Sequence, residues 1–245
     1  MKYVVAHRGL SSKAPENTLE SFDLAVSTGS KYIEFDVHLS KDNEVVIIHD
    51  DTVDRTSNGE GKVNSKSLEE LKKLEFGSWF SNNYTGAKIP LLKDVLNKYR
   101  DISFVIEIKG DQEHLVQKVM EIIKSNKYWK EKLLKSENDE PNIIFCSFLP
   151  NQIIKLRKYS SDIVIGFLVK SISQDVLEFS SKLKLDGIFP YYKLLNSKTI
   201  AMLSGYMVSC WGFERLEDVG KLLDLDVDAI TVAVSYTHLT LPTKA

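Results

Sequence analysis

The chain is poor in cysteine, in net charge and in long apolar runs, and each shortage closes a class of function. It has only two cysteines, Cys146 and Cys210, far apart and each inside an apolar run. They form no disulfide framework and read as buried free thiols in a reducing compartment. A formal net charge of -2 gives no reason to expect nucleic acid as a partner. No apolar stretch reaches the roughly 20 residues that cross a bilayer, so no stable membrane insertion is expected. Met1-Lys2-Tyr3 leads almost directly into a polar motif at His7, which leaves no room for a signal peptide and makes the cytoplasm the expected location. No Gly-x-Gly-x-x-Gly pattern follows the first apolar strand, which argues against an open dinucleotide-binding sheet. What remains is ordinary globular composition: 245 residues, 43% hydrophobic and 27% charged, enough for one large α/β domain or two small ones.

Along the chain, short apolar runs alternate with helical patterns. Tyr3–Ala6 reads as a strand that ends at His7-Arg8-Gly9. Asn17-Thr18-Leu19-Glu20 has the spacing of an N-cap with its capping-box glutamate, and Gly29 ends the helix that follows. After Pro90 the strands Phe104–Lys109, Ile143–Phe148, Val164–Val169, Gly187–Pro190, Met207–Trp211 and Ala229–Val232 are separated by helices, among them His114–Lys124, Asn151–Lys158 and Leu216–Leu223. Such alternation means parallel strands joined by right-handed crossovers. Nine strand-like runs can be counted. The one containing Val45–Ile48 follows its predecessor after only a tight turn, whereas a parallel neighbour needs a crossover of about a dozen residues. It must therefore run back antiparallel. Eight parallel strands remain, the number that closes a (β/α)8 barrel. The expected fold is a distorted barrel with an antiparallel hairpin after its second strand and a small insertion at 51–88 over the barrel mouth.

Polar residues at the strand ends carry the functional reading, because a barrel of this kind collects its chemistry at the carboxyl ends of its strands. Side chains alternate along a strand, so Glu34, Asp36 and His38 share one face. With Asp42-Asn43 as a two-residue loop, Asp36 lies opposite His49. Glu107 and Lys109 end the next parallel strand, and Ser147, Phe148 and Trp211 follow later. One strand-end carboxylate is usually a solvated cap. Three from two neighbouring strands suit a hard cation with oxygen ligands, Ca²⁺ or Mg²⁺, better than zinc. Arg8 and Lys109 add two cations, so an anionic, oxygen-rich small molecule such as a phosphate ester is the expected ligand. His7 and His49 can divide proton transfer between them. Trp211 is expected to wall the pocket, while His38 and His114 are expected to be solvated.

These residues fall into motifs: His7-Arg8-Gly9, Pro15-Glu16-Asn17-Thr18, Glu34-x-Asp36, His49-Asp50, Asp54-Arg55-Thr56, Gly77-Ser78-Trp79-Phe80, Ile89-Pro90-x-Leu92, Glu107-x-Lys109 and Ser147-Phe148. In this order and spacing the sequence resembles the glycerophosphodiester phosphodiesterase family over nearly its whole length. The resemblance implies a metal-dependent enzyme of lipid and glycerol metabolism that hydrolyses glycerophosphodiesters to sn-glycerol 3-phosphate and an alcohol. It implies Glu34, Asp36 and Glu107 as ligands of the divalent cation and His7 and His49 as the acid-base pair. Arg8 and Lys109 would bind phosphate, and Glu16 would support the site from behind. Phe148 and Trp211 are expected to contact substrate, and a monomer or homodimer is expected. Two alternatives are a lysophospholipase D-type enzyme on the same barrel, with an apolar lip from Phe76, Trp79, Phe80 and Tyr84, and a barrel that binds phosphodiesters without cleaving them.

The last residues stand apart. Val234–Thr243 read VSYTHLTLPT, which resembles the translation of a sequencing-library transposon adapter, and the adapter's preceding bases would complete an alanine codon at Ala233. Residues 233–245 are therefore expected to be a non-native tail, with 1–232 forming a single catalytic domain and His238 given no role.

Overall fold

The structure is a computed structural model that describes residues 3–135, 140–213, 217–220, 222 and 225–233. The described residues form nine strands, β1 (Tyr3–His7), β2 (Tyr32–Leu39), β3 (Val45–Ile47), β4 (Ser103–Ile108), β5 (Ile143–Ser147), β6 (Val164–Val169), β7 (Gly187–Pro190), β8 (Met207–Cys210) and β9 (Ala229–Val232). All except β3 are mutually parallel, and the ring closes because β1 pairs with both β9 and β2. This is the eight-stranded barrel the alternation calls for. Helices α1 (Leu19–Ser27), α2 (Leu68–Lys73), α3 (Leu92–Lys98), α4 (Leu115–Ser125), α5 (Lys127–Lys132), α6 (Pro150–Tyr159), α7 (Gln174–Lys182), α8 (Ser197–Met202) and α9 (Glu217–Gly220) join or flank the strands. No described helix is long and apolar enough to cross a membrane. Cys146 and Cys210 are free and buried, as expected. His114 is exposed at the start of α4, also as expected. The adapter-like stretch from Val234 lies outside the described residues, as does part of the expected Leu216–Leu223 helix.

Strand periodicity sorts the core into two layers. Tyr3, Val5, Tyr32, Val105, Ile144, Cys146, Val164, Leu168, Phe189 and Ala229 pack against one another inside the barrel. Their chain neighbours Val4, Ala6, Ile33, Phe35, Phe104, Ile106, Phe145 and Ile165 pack outward against the helices. The floor is closed by Tyr3 stacked on Tyr32, ring centroids 4.6 Å apart. Gly166 leaves room for the Phe189 ring, which a Cβ at that position would meet at 2.2 Å. Outside the barrel, α5 carries the fully buried Trp129, whose indole N–H donates to the Leu96 carbonyl at 2.7 Å. That short helix follows directly on α4.

Three local expectations are corrected. The hairpin turn is longer than two residues: Leu39 pairs with Val45, so five residues, 40–44, make the connection, with Asn43 in the left-handed region at φ 62°. The side chain of Asp42 holds this turn, accepting from the Ser40 hydroxyl at 2.6 Å and from the Leu68 N–H at the start of α2. The register therefore shifts by one, and Ile48, not His49, meets Asp36, donating its N–H to the Asp36 carbonyl at 3.0 Å. Second, α1 is capped by Thr18 with Ser21, not by Asn17 with Glu20, because the Asn17 side chain is engaged by Asp36. Third, His38 is buried, with one ring nitrogen 3.2 Å from the His49 carbonyl. Val46 and Ile48 pack with Val53, Val63, Leu71, Phe76, Ile89 and Leu91 as a separate small core. Val46 pairs directly with His38, so His38 shares the covered side of the hairpin.

β2 shows how the hairpin is accommodated. One edge pairs with β4 from Tyr32 to Val37. The other pairs with β1 only as far as Glu34, where β1 ends at His7, and with β3 from Val37 onward. The hairpin thus takes over the edge that the shorter β1 leaves, and the segment that follows it reaches the end of β1.

Candidate active site

The interior columns that form the apolar floor turn polar at their upper ends. Two-residue steps run Tyr3, Val5, His7 on β1, then Tyr32, Glu34, Asp36 on β2 and Val105, Glu107 on β4 to Lys109 just past its end. The same steps lead to Cys146 and Phe148, to Leu168 and Lys170, to Phe189 and Tyr191, and to Ser209 and Trp211. A cavity of about 520 Å³ opens at this end, lined among others by His7, Arg8, Glu34, His49, Glu107, Lys109, Phe148, Lys170, Ser209, Trp211 and Thr231. Asp36 is fully buried beneath it.

The three carboxylates converge as expected. Glu34, Asp36 and Glu107 each bring an oxygen within 4.8 Å of the others, the only group of that kind among the described residues. Asp36 pairs with Glu107 in the β2–β4 register, and Glu34 with His7 across β1–β2. Crowding sets their protonation. Burial and the neighbouring Asp36 and Glu107 charges hold Glu34 well above the carboxylate range. Burial and Asp36 push Glu107 up to about 7. Burial also pushes Asp36 up, but Arg8, His49 and Lys109 together with the Asn17 amide outweigh it, so Asp36 stays ionised. One Asp36 oxygen accepts from Asn17 Nδ2 at 2.9 Å and lies 3.3 Å from Arg8 Nε. The other, Oδ1, is buried without a hydrogen-bond partner. A buried, unpartnered carboxylate oxygen next to two further carboxylates fits a hard divalent cation, which would supply the missing ligation and relieve the repulsion.

Cations frame the trio. Lys109 Nζ donates to Glu107 Oε1 at 2.9 Å and lies 3.8 Å from Asp36 Oδ1. Arg8 is held in the left-handed region at φ 55°, a strain of about 1–3 kcal/mol for a non-glycine residue. This bend aims its backbone N–H at Glu34 Oε2, 3.0 Å away, and its carbonyl accepts from the Asn17 N–H and the Ser21 hydroxyl. Gly9 continues the turn at φ 79°, where a Cβ would lie 2.4 Å from the Ser21 oxygen, so only glycine fits between strand and helix. Glu16 stands behind, accepting from Arg8 at 2.8 Å.

The two imidazoles flank this group. His7 Nε2 lies 4.0 Å from Glu34 Oε2; burial, then Arg8, lowers its pKa. His49, carried past the end of β3, still reaches the cavity wall. Its Nδ1 lies 2.5 Å from Asp50 Oδ1, so the tautomer with Nδ1–H donated to Asp50 leaves the Nε2 lone pair available. Burial lowers the His49 pKa as well. Opposite them, Phe148 and Trp211 meet edge to face with centroids 5.0 Å apart, and the Trp211 indole donates to the Phe189 carbonyl at 2.9 Å. Lys109 and Lys170 both sit 5.5 Å from the Phe148 ring centroid. Phe76, Trp79, Phe80 and Tyr84 do not line the cavity; Phe76 is buried in the small core, and Trp79, Phe80 and Tyr84 form a separate ladder of edge contacts.

Sequence reasoning assigned no role in the site to four residues of this arrangement. Asn17, Asp50 and Arg55 lie within the short motifs, but Asn17 was read only as a helix N-cap, and Asp50 and Arg55, which are joined at 2.7 Å, received no task. Lys170 lies one step beyond the end of β6, where counting in twos along that strand would have found it.

The family described as the glycerophosphoryl diester phosphodiesterase family matches residues 7–233. The chain is 31% identical over 252 residues to a glycerophosphodiester phosphodiesterase of Caldanaerobacter subterraneus subsp. tengcongensis, covering 98% of both chains. A 109-residue stretch is 52% identical to a Bacillus subtilis protein and covers 44% of this chain and 45% of that one. A phosphodiesterase from Oleispira antarctica, solved in complex with the product sn-glycerol-3-phosphate, superposes with a TM-score of 0.85 at 28% identity, covering 96% of this chain and 94% of that one.

Proposed function

The chain belongs to the glycerophosphoryl diester phosphodiesterase family and is an enzyme of that class, and on this premise we propose that it hydrolyses glycerophosphodiesters to sn-glycerol 3-phosphate and an alcohol by histidine acid-base catalysis. The observation that carries the reading is the convergence of Glu34, Asp36 and Glu107 within 4.8 Å, with Asp36 Oδ1 lacking a hydrogen-bond partner. These three residues would hold a divalent cation, Ca²⁺ or Mg²⁺, which when bound supplies charge neutralisation for the phosphoryl oxygens. Arg8 and Lys109, beside the carboxylates, bind the phosphodiester anion, Arg8 through its guanidinium fork and Lys109 as a point charge. One imidazole of the His7–His49 pair takes a proton from the attacking water as its oxygen bonds to phosphorus. The other gives a proton to the alcohol oxygen as its bond to phosphorus breaks. One water is consumed per ester bond. Phe148 and Trp211 give the rest of the substrate an apolar wall. Residues 1–232 work as one domain, with 51–88 as an insertion at the mouth and 233–245 a non-native tail.

The test is release of sn-glycerol 3-phosphate from a panel of glycerophosphodiesters by the intact protein and by His7→Ala and His49→Ala. Product from the parent and its loss in both folded variants is expected. Undiminished turnover in both would end the acid-base assignment, and absence of product from every substrate would end the functional reading. The lipid-acting alternative predicts preferential turnover of lysophospholipid. Its proposed aromatic lip is absent from the cavity lining, so the soluble diester is expected to be the better substrate.

A further inference from the structure

Arg55 lies in the segment after the hairpin, far in sequence from Glu16, yet its guanidinium ties two otherwise separate parts of the rim. Its Nε and one terminal nitrogen donate to the two oxygens of Asp50 at 2.7 and 3.2 Å. Its two terminal nitrogens donate to the two oxygens of Glu16, both at 2.8 Å. Each edge of the planar fork is therefore filled by one carboxylate, a geometry a lysine cannot reproduce. Beyond Asp50 lies His49 Nδ1 at 2.5 Å, and beyond Glu16 lies Arg8 at 2.8 Å. The result is an unbroken series, His49–Asp50–Arg55–Glu16–Arg8, in which basic and acidic groups alternate and which runs on from Arg8 to Asp36 at 3.3 Å.

We propose that Arg55 is a positioning residue that sets the His49 imidazole at a defined place relative to Arg8 and the carboxylates, although it does not line the cavity. His49 needs such support more than His7 does. His7 is the last residue of a barrel strand, paired with Glu34 in the β1–β2 register. His49 follows the end of β3, and the carboxylate that holds its ring belongs to its chain neighbour in the same loop. Asp50 can orient the ring only as well as Asp50 itself is held, and Arg55 is what joins it to the barrel side of the site. A general acid or base displaced by about 1 Å can lose a hundredfold in rate, and losing a residue that orients a functional side chain typically costs about 10- to 100-fold.

The inference rests on the proposed phosphodiesterase reading, and the experiment separates the two. Steady-state kinetics of sn-glycerol 3-phosphate release would be measured for the parent, Arg55→Gln, Arg55→Lys, Arg55→Ala, Asp50→Asn and the double variant Arg55→Gln/Asp50→Asn, each with a thermal melt. The expected result for Arg55→Gln is a kcat lower by about 10- to 100-fold with KM within about threefold. Arg55→Lys should recover only part of the loss, and added guanidinium should restore part of the activity of Arg55→Ala. Asp50→Asn should add little to Arg55→Gln, because both break one link. Unchanged kcat in Arg55→Gln, full recovery by lysine, or fully additive losses would overturn the positioning role while leaving the phosphodiesterase standing. A loss that follows the melting temperature with no guanidinium rescue would show a merely structural residue and would also overturn it. An inactive parent protein would instead remove the reading beneath it.

Discussion

The two halves of the cavity are built on different principles. The wall from β1, β2 and β4 carries Arg8, Glu34, Asp36, Glu107 and Lys109, each held by at least one charged neighbour. The wall from β5 to β8 is mainly Phe148, Leu168, Phe189 and Trp211, placed by packing and by one indole hydrogen bond, with Lys170 beside Phe148 as its one cation in the cavity lining. On the first wall position is over-determined, as electrostatic preorganisation requires. On the second, the rings give area and shape without fixing a charge, which suits the part of a substrate that differs from one diester to another. On the proposed function, chemistry and selection would occupy opposite walls of one barrel, and substitutions on each should fail in different ways.

The largest expected break is on the charged wall. His7→Ala and His49→Ala should each lower kcat by about 10²- to 10⁴-fold with little effect on melting, read by product release and calorimetry. A second effect on that wall concerns stability. Glu107 is raised to about 7 from an ordinary value near 4.5, so the folded, cation-free protein holds protons that the unfolded chain gives up. Proton uptake on folding makes stability fall as pH rises through this window. With chelator present, the melting temperature of the parent relative to Glu107→Gln should be lower at pH 8 than at pH 5, a comparison in which the opposite contributions of the lowered His7, His38 and His49 are common to both proteins. Added Ca²⁺ or Mg²⁺ should raise it more at pH 8.

Sharpening the comparison requires the aromatic wall. Trp211→Ala should raise KM by about tenfold, the equivalent of about 1.4 kcal/mol of lost contact, and reorder the preference among head groups while kcat changes less than in the histidine variants. The smallest effect on turnover is expected far from both walls. Trp129→Ala should cost about 3–5 kcal/mol of stability in urea unfolding and leave kcat of the folded fraction unchanged.

The barrel and most of the site were legible in the sequence, and for physical reasons. Period-two alternation placed Glu34, Asp36 and Glu107 on interior columns, and the need for a crossover between parallel strands forced β3 antiparallel. What could not be read depended on side chains bonded across long stretches of chain. Asn17 has the spacing of an N-cap, yet its amide is engaged by Asp36, 19 positions away. The hairpin register turned on whether Asp42-Asn43 formed the whole turn, and the link from Asp42 to the Leu68 N–H is invisible to local pattern. His38 shares a strand face with Glu34 and Asp36 but is expected in solvent, because local pattern does not show that Val53, Val63 and Phe76 fold over the hairpin. Arg55 shows the same limit: nothing in its immediate sequence says that Glu16 will be its partner.

The central claim is that three buried carboxylates hold the cation on which hydrolysis depends. It is tested most directly by stripping the protein with chelator and following both heat of binding and sn-glycerol 3-phosphate release as Mg²⁺ or Ca²⁺ is returned. The account predicts one binding site per chain, activity that rises in step with its occupancy, and loss of both when Asp36 is replaced by asparagine. Full activity in the stripped protein, or unchanged binding by Asp36→Asn, would contradict it.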